Sequence, residues 1–99
     1  MLTQKKLSNL PDKVKERIEI FGKPCIWSIL AYLSNLDEKT INITALIREL
    51  NSNYGYISKC IELMKSLGMI EEIKFGRVRL IKLNMENDYV KNMLMLLNM

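Results

Sequence analysis

The sequence predicts a mainly helical domain with one small β-hairpin, which is an α+β fold. Segments with apolar residues at helical spacing recur along the chain, and the run "MIEEIKFGRVRLIKL" divides into two β-like halves at Phe75-Gly76. A chain of 99 residues has the common size of one domain, and no interior stretch is poor enough in apolar residues to form a linker. We therefore expect residues 1–99 to fold as a single domain.

The first two helices are predicted on either side of Gly22. In "PDKVKERIEIFG" a proline suits the first turn, and one apolar stripe is formed by Leu7, Leu10, Val14, Ile18 and Phe21. Pro24 then opens "PCIWSILAYLSNL", a helix that is apolar on most of its surface. Such a helix belongs at the centre of the domain.

A short strand and two more helices follow. "TINI" alternates and is β-branched, as in a brief edge strand, and Thr44 is the predicted cap of the helix "ALIREL". Asn53 is the predicted cap of the next helix, which extends to Leu67, and Gly68 ends it in the left-handed conformation. The inward stripe of this helix is predicted to consist of Ile57, Cys60, Ile61, Met64 and Leu67.

The hairpin and a last helix complete the chain. A connection of about two residues at the hairpin glycine predicts that Glu72 lies opposite Arg79 and that Ile73 lies opposite Val78. Asn84 is the predicted cap of the last helix. The apolar residues of that helix, at helical spacing, are Met85, Tyr89, Val90, Met93, Leu94 and Leu97.

Three segments between Ile41 and Leu83 have the order and spacing of a known module. "ITALIREL" corresponds to a positioning helix, "NYGYISKCIELMKSLGMIEE" to a recognition helix, and "IKFGRVRLIKL" to a wing. The chain thus resembles a winged helix-turn-helix domain, the module of many small bacterial and archaeal transcription regulators, and with the preceding helix the resemblance covers residues 24–83. It implies sequence-specific binding of double-stranded DNA, with the recognition helix in the major groove and the wing on the backbone or in the minor groove.

The predicted DNA-contacting side chains lie on the solvent face of the recognition helix and on the wing. Hydroxyl, amide and ammonium groups at the start of the helix can bond base edges, and cations of the wing can contact phosphates. The set is Thr44, Ser52, Asn53, Tyr54, Tyr56, Ser58, Lys59, Lys74, Arg77 and Arg79. Two plainer interpretations stay open: the helix face is only solvated surface, and the hairpin is only a charged edge that resists aggregation.

Charge and composition favour a polyanionic partner over catalysis. The net charge is +4, and the excess is concentrated in residues 1–24 and 51–83, each with six Lys/Arg against three Asp/Glu. The chain has no histidine, the commonest general base and metal ligand, so we expect no enzyme activity, no metal and no cofactor. No small-molecule ligand is evident, and without a membrane span or a signal-peptide core we expect a cytoplasmic protein.

The cysteines and methionines are predicted to serve packing. Cys25 and Cys60 lie beside apolar positions and far apart in sequence, so reduced core residues are the favoured interpretation. A disulfide between their two helices is the alternative if the source is a hyperthermophile. The methionines near the C-terminus indicate a plastic apolar contact surface rather than a soft metal site.

Apolar residues outside the winged core predict a homodimer. Residues 24–83 are expected to close a core, so that residues 1–23 form an N-terminal arm and helix and residues 84–99 a C-terminal dimerisation helix. Exposed apolar area of this kind favours association, most often as a two-fold dimer, which would bind a pseudo-palindromic DNA site. The predicted contact residues are Leu7, Leu10, Val14, Phe21, Tyr89, Val90, Met93, Leu94 and Leu97.

A second function stays open beside DNA binding. The domain would then be a winged-helix protein-interaction module inside a larger assembly, without contact to DNA. The modest net charge keeps this alternative open, whereas the two positive blocks favour DNA.

Overall fold

The fold consists of five helices and a three-stranded sheet within residues 9–99, the part of the chain that the computed structural model describes. The helices are α1 Asp12–Phe21, α2 Pro24–Ser34, α3 Ile43–Glu49, α4 Tyr54–Ser66 and α5 Asp88–Leu97. The strands are β1 Thr40–Asn42, β2 Ile70–Phe75 and β3 Val78–Leu83. Their order along the chain is the predicted one, so the mainly helical fold with a small hairpin is confirmed.

The sheet is antiparallel with strand order β1-β3-β2. In the hairpin Phe75 pairs with Val78, and Gly76 has a φ of 57°, as the first central residue of a type II′ turn requires. Glu72 consequently pairs with Ile81, so the predicted pairing of Glu72 with Arg79 and of Ile73 with Val78 is wrong by two residues. A shift of two leaves every side chain on its predicted face, because the side-chain period of a strand is two.

Helix α2 lies at the centre of one hydrophobic core, as its composition predicts. Its buried residues Ile26, Ile29, Leu30 and Leu33 have no exposed area. The inward stripe of α4 is also confirmed as far as Met64, whereas Leu67, after the helix has ended, is only half-buried. The buried part of that stripe is Ile57, Cys60, Ile61 and Met64.

Helix α4 has well-defined ends that its sequence encodes. At its start the Asn53 side-chain oxygen accepts a hydrogen bond from the Tyr56 backbone N–H at 2.9 Å. At its end Gly68 has a φ of 74°, and the backbone bonds Gly68 N–H to Lys65 O and Met69 N–H to Met64 O form a Schellman motif. Both predicted termini of the recognition helix are therefore confirmed.

Two predicted caps are wrong because each helix begins at a different residue from the one expected. Asn42 caps α3 by accepting from the Thr44 backbone N–H at 2.8 Å, so Thr44 lies inside the first turn. Asn87 caps α5 by accepting from the Val90 N–H at 3.2 Å. Asn84 instead donates from its side chain to the Gly68 carbonyl at 2.9 Å, and this bond holds the start of the last segment against the end of α4.

The terminal helices contribute to the same core as residues 24–83. Ile20 is the buried residue of α1, while Ile18 and Phe21 of the predicted stripe are exposed. Val90, Met93 and Leu94 of α5 are buried in the core of their own chain. Because α5 packs on α2 within the chain, these three residues, which were predicted to contact a second copy, offer it little surface. Leu7 lies outside the described residues.

A disulfide joins Cys25 of α2 to Cys60 of α4, with a Cα–Cα distance of 6.4 Å. Both residues are buried in the core cluster. The favoured interpretation, two reduced cysteines, is thus wrong. The structure has the alternative, a disulfide between the two helices. The bond fixes the middle of the recognition helix to the central helix of the domain.

Candidate nucleic-acid interface

The first two turns of α4 present a polar face opposite the core. Tyr54 and Tyr56 are 55% and 49% exposed, and Lys59 is also exposed. The face arises because the buried residues follow the 3.6-residue period, which turns the intervening positions to solvent. Phenolic hydroxyls and an ammonium group are thereby held on a rigid helix, where they can donate to or accept from a ligand.

The predicted small polar residues have less prominent positions. Ser52 and Ser58 are half-buried, and Thr44 is exposed in the first turn of α3. Asn53 is exposed, but its side-chain oxygen is already used by the cap of α4. Within residues 9–99 no hydrogen bond or ion pair joins these four residues to the wing.

One carboxylate, that of Glu72, lies between α4 and the hairpin and pairs with two cations. The Glu72 side chain is 3% exposed and accepts from Lys65 Nζ at 2.8 Å and from Arg79 Nη2 at 3.1 Å, with a further bond from Arg79 Nε. The hydrogen bonds from Arg79 and then Lys65 lower the pKa of Glu72 to about 2. The hydrogen bond to Glu72 in turn raises the pKa of Lys65 above its ordinary value.

Arg79 also connects the wing to the first turn of the recognition helix. Its Nη1 donates to the Tyr54 hydroxyl, and its guanidinium lies 5.9 Å from the centre of the Tyr54 ring. Arg79 is therefore bonded to both Glu72 and Tyr54. Two residues predicted to contact DNA are held together 25 positions apart in sequence.

The tip of the wing carries cations whose charges are not neutralised nearby. Lys74 and Arg77 are exposed, and within residues 9–99 neither takes part in an ion pair. Phe75, which lies between them along the chain, is also exposed. Lys74 pairs across the hairpin with Arg79, so the cationic tip adjoins the Tyr54 end of α4.

Sequence reasoning missed Lys65 and the central role of Glu72. The sequence predicted no contact for Lys65, and it predicted for Glu72 only a cross-strand pair with Arg79. The available signal was the alternation of β2, in which Glu72 follows buried Ile70 by two residues and must share its inward face. An inward carboxylate requires partners, and Lys65 at the end of α4 is one of them.

An open cleft of about 550 Å³ lies beside the recognition helix. Residues from the α1–α2 junction and from α4 line it, and the disulfide forms part of its wall. These lining residues include Glu19, Lys23, Cys25, Tyr56, Lys59 and Cys60. This cleft could not be predicted from the sequence, because residues distant along the chain create it.

Neither a metal-binding cluster nor a membrane-spanning helix occurs in the part of the chain that the structure describes. Among residues 9–99 no cluster of three or more Cys, Asp or Glu side chains has the arrangement of a metal site. None of the helices described for this chain has the length and apolar character that crossing a bilayer requires.

Comparison with solved structures supports the fold. The chain is similar to the crystal structure of an ArsR family transcriptional regulator, with a TM-score of 0.65 over 90% of this chain and 89% of the other, at 18% sequence identity. No protein-family model and no curated protein sequence matches the chain. At this identity the likeness shows the winged-helix fold, which the sequence resemblance had predicted.

Proposed function

We propose that this protein binds double-stranded DNA in a sequence-specific manner and regulates transcription as a homodimer on a pseudo-palindromic site. The polar face of α4 enters the major groove, and the wing contacts the backbone or the minor groove. The similar solved structure is described as a transcriptional regulator, which is in keeping with this proposal.

The observation that carries the proposal is the bond between Arg79 and Tyr54. It brings the wing and the first turn of α4 into one surface, with tyrosine hydroxyls, Lys59 and the cations Lys74 and Arg77 on it. A plain solvated helix face would not require a hydrogen-bonded link to a basic hairpin. Base-edge donors beside phosphate-binding cations are the combination that specific DNA recognition uses.

The proposal is tested by binding to DNA selected from a random pool. Replacing Lys59 or Tyr56 with alanine is expected to reduce discrimination of the selected site by about 1–3 kcal/mol each, because each removes a candidate base contact. Both side chains are exposed, so the fold should be retained, which circular dichroism would check. Glu49→Ala, an exposed change on α3, serves as the control. Unchanged affinity in both variants would contradict the assignment of α4.

The cations of the wing should contribute affinity without sequence preference. Lys74→Ala and Arg77→Ala are expected to weaken binding to all sequences alike, and each lost phosphate contact should lower the slope of log K against log salt by about 0.9. Titrations of selected and scrambled duplexes at several salt concentrations measure this. Weaker binding with an unaltered slope would show that the wing makes no ionic contact.

The proposed dimer uses the apolar residues that the fold leaves on α1 and α5. Phe21 and Leu97 are exposed, Val14 and Tyr89 are half-buried, and α1 and α5 flank a common cleft. Met95, Leu96 and Met99 add exposed apolar area on α5. Contiguous area of this kind on a small domain favours self-association.

Substitution on α5 tests the dimer better than truncation. A chain ending at Leu83 would lose the buried residues of α5, so its core would be incomplete. Leu96→Glu with Leu97→Glu is expected to convert the dimer to a monomer in sedimentation, since both side chains are exposed. Lys91→Glu on the polar face of the same helix lowers the net charge by two, as the double substitution does, and should leave the mass in solution unchanged. A monomeric wild-type protein at micromolar concentration would contradict the dimer.

The same DNA experiment distinguishes DNA binding from the alternative function, that of a protein-interaction module. If the wild-type protein recovers no sequence from the pool and shifts no genomic fragment at low salt, the DNA-binding proposal fails. The interaction-module interpretation would then be the one to pursue.

A further inference from the structure

The outer face of the wing has the opposite polarity from that of an ordinary surface hairpin. We define the outer face as Ile73, Phe75, Val78 and Leu80, which alternate with the inward residues Glu72, Lys74, Arg79 and Ile81. Ile73 pairs with Leu80 and Phe75 with Val78, so the four side chains form two cross-strand apolar pairs. An antiparallel sheet with one solvated face normally has polar residues on that face. On the wing, the part of the solvated face nearest the tip is instead apolar, and the charged pair Glu71–Lys82 lies further from the tip on that face.

Exposure is greatest at the tip. Phe75 is 66% exposed, compared with 39% for Ile73 and 41% for Val78. The turn that presents Phe75 has only two residues, Gly76 and Arg77, and the positive φ of Gly76 defines it. The aromatic ring is therefore presented on a short, paired ribbon rather than on a mobile loop.

The charge around this face matches a nucleic acid. Residues 73–80 contain Lys74, Arg77 and Arg79 and no carboxylate. The groove of DNA offers apolar sugar and base surface between two rows of phosphates, so an apolar centre with a cationic rim is complementary to it. A protein partner would need about 1,000 Å² or more of buried surface for a stable contact, which four side chains on a two-stranded ribbon do not supply.

The position of Phe75 relative to α4 is also compatible with contact to DNA. Arg79 bonds Tyr54 at the start of the recognition helix, and Phe75 lies one residue beyond the Lys74–Arg79 pair, about 3 Å further along the ribbon at the usual strand rise. Because Arg79 holds the hairpin against Tyr54, Phe75 lies at the edge of the surface that α4 presents, beside the groove segment that α4 would occupy.

We infer that Phe75 is an apolar wedge that enters the minor groove beside the segment bound by α4 and partly unstacks one base step. Val78 packs beside the ring, while Arg77 and Lys74 hold the flanking phosphates. The inference rests on the proposed DNA binding and adds a specificity-determining residue to it. Pyrimidine–purine steps unstack most easily, so the protein should favour TA or CA/TG at a position that α4 does not touch.

The test uses short duplexes that the wild-type protein has selected from a random pool, labelled with 2-aminopurine at the steps flanking the protected major-groove segment. Unstacking raises the fluorescence of this adenine analogue. Wild type is expected to raise it at one step and to lose affinity about tenfold when that step is changed from TA to a stiffer A-tract step, a penalty of the size that base-pair changes typically produce. Phe75→Ala should abolish both effects, and Phe75→Leu should keep part of them.

The controls separate the wedge from the cations and from folding. Phe75→Ala should leave the salt slope unchanged, because it removes no charge, whereas Arg77→Ala lowers the slope and keeps the fluorescence change at saturating protein. The high exposure of Phe75 means that its removal should leave the melting temperature near that of wild type. Ile73→Ala on the same face, further from the tip, should keep the fluorescence change.

Four outcomes are distinguishable. Loss of the fluorescence change and of the step preference in Phe75→Ala, with retained binding through α4, supports the wedge. Wild-type binding without any fluorescence change, or with a change that Phe75→Ala retains, overturns the wedge and leaves the proposed function standing. A wild-type protein that binds no DNA overturns both, and loss of self-association in Phe75→Ala would assign the outer face to contact between copies of the chain instead.

Discussion

Reduction of the disulfide between Cys25 and Cys60 is expected to lower the free energy of unfolding by about 4 kcal/mol. The two cysteines are 35 residues apart, and closing a loop of that length removes this much chain entropy from the unfolded state. A loss of that size should lower the melting temperature by on the order of 20 °C for a domain of this length. Thermal unfolding with and without dithiothreitol measures the effect directly.

Variants distinguish the cross-link from the packing of the two side chains. Cys25→Ala with Cys60→Ala should unfold near the reduced wild-type protein and should not respond to dithiothreitol. Alanine is preferred to serine at both positions because they are buried, and the serine hydroxyl would be an unpaired polar group there. A wild-type melting temperature that dithiothreitol leaves unchanged, with complete reduction verified by thiol titration, would contradict the prediction.

Acid is expected to destabilise the fold through Glu72. Its pKa is about 2 in the folded protein, against an ordinary value of 4.5, because Arg79 and Lys65 hold the ionised carboxylate. A folded pKa below the unfolded one gives stability that is present above pH 4.5 and is lost as the pH falls towards 2. A shift of this size corresponds to about 3 kcal/mol, which denaturant titration across that pH range would measure.

The neighbouring glutamate supplies a matched control. Glu72→Gln should be less stable than wild type at neutral pH and should show a flatter pH dependence, because it removes the titrating group. Glu71→Gln changes an exposed carboxylate on the other face of the same strand and should follow the wild-type curve. Parallel curves for wild type and Glu72→Gln would show that this carboxylate does not contribute to acid sensitivity.

The helices that the sequence predicted best are those with strong local signals. Pro24 fixes its own backbone angle at the start of α2, and Gly68 permits the left-handed conformation that ends α4. The apolar period between such signals is unambiguous. For α1 the period allowed two faces, since Ile18 and Ile20 lie nearly opposite one another. Packing against the rest of the domain selects Ile20, and the sequence of one helix does not contain that information.

Contacts between distant segments were the part that could not be predicted. The hairpin register was wrong by two residues because both registers put the same side chains on the same faces, and only the turn geometry distinguishes them. The disulfide depends on a distance between two helices, and the bond from Arg79 to Tyr54 depends on how the hairpin lies against α4. The candidate residues were therefore identified largely from composition and position, whereas their mutual arrangement required the structure.

The recognition helix is restrained at its start, its middle and its end. Arg79 holds Tyr54, the disulfide holds Cys60, and the side chain of Asn87 donates to the carbonyl of Leu67 at 2.9 Å. A helix restrained in this way loses little conformational freedom when it binds, so its association should carry a small entropy penalty from the protein. It also has little capacity to adjust its angle, so most of the adaptation in a complex would have to come from the partner. For a DNA partner, calorimetry should then show an unfavourable contribution to the free energy of binding that varies with the flexibility of the duplex rather than with that of the protein.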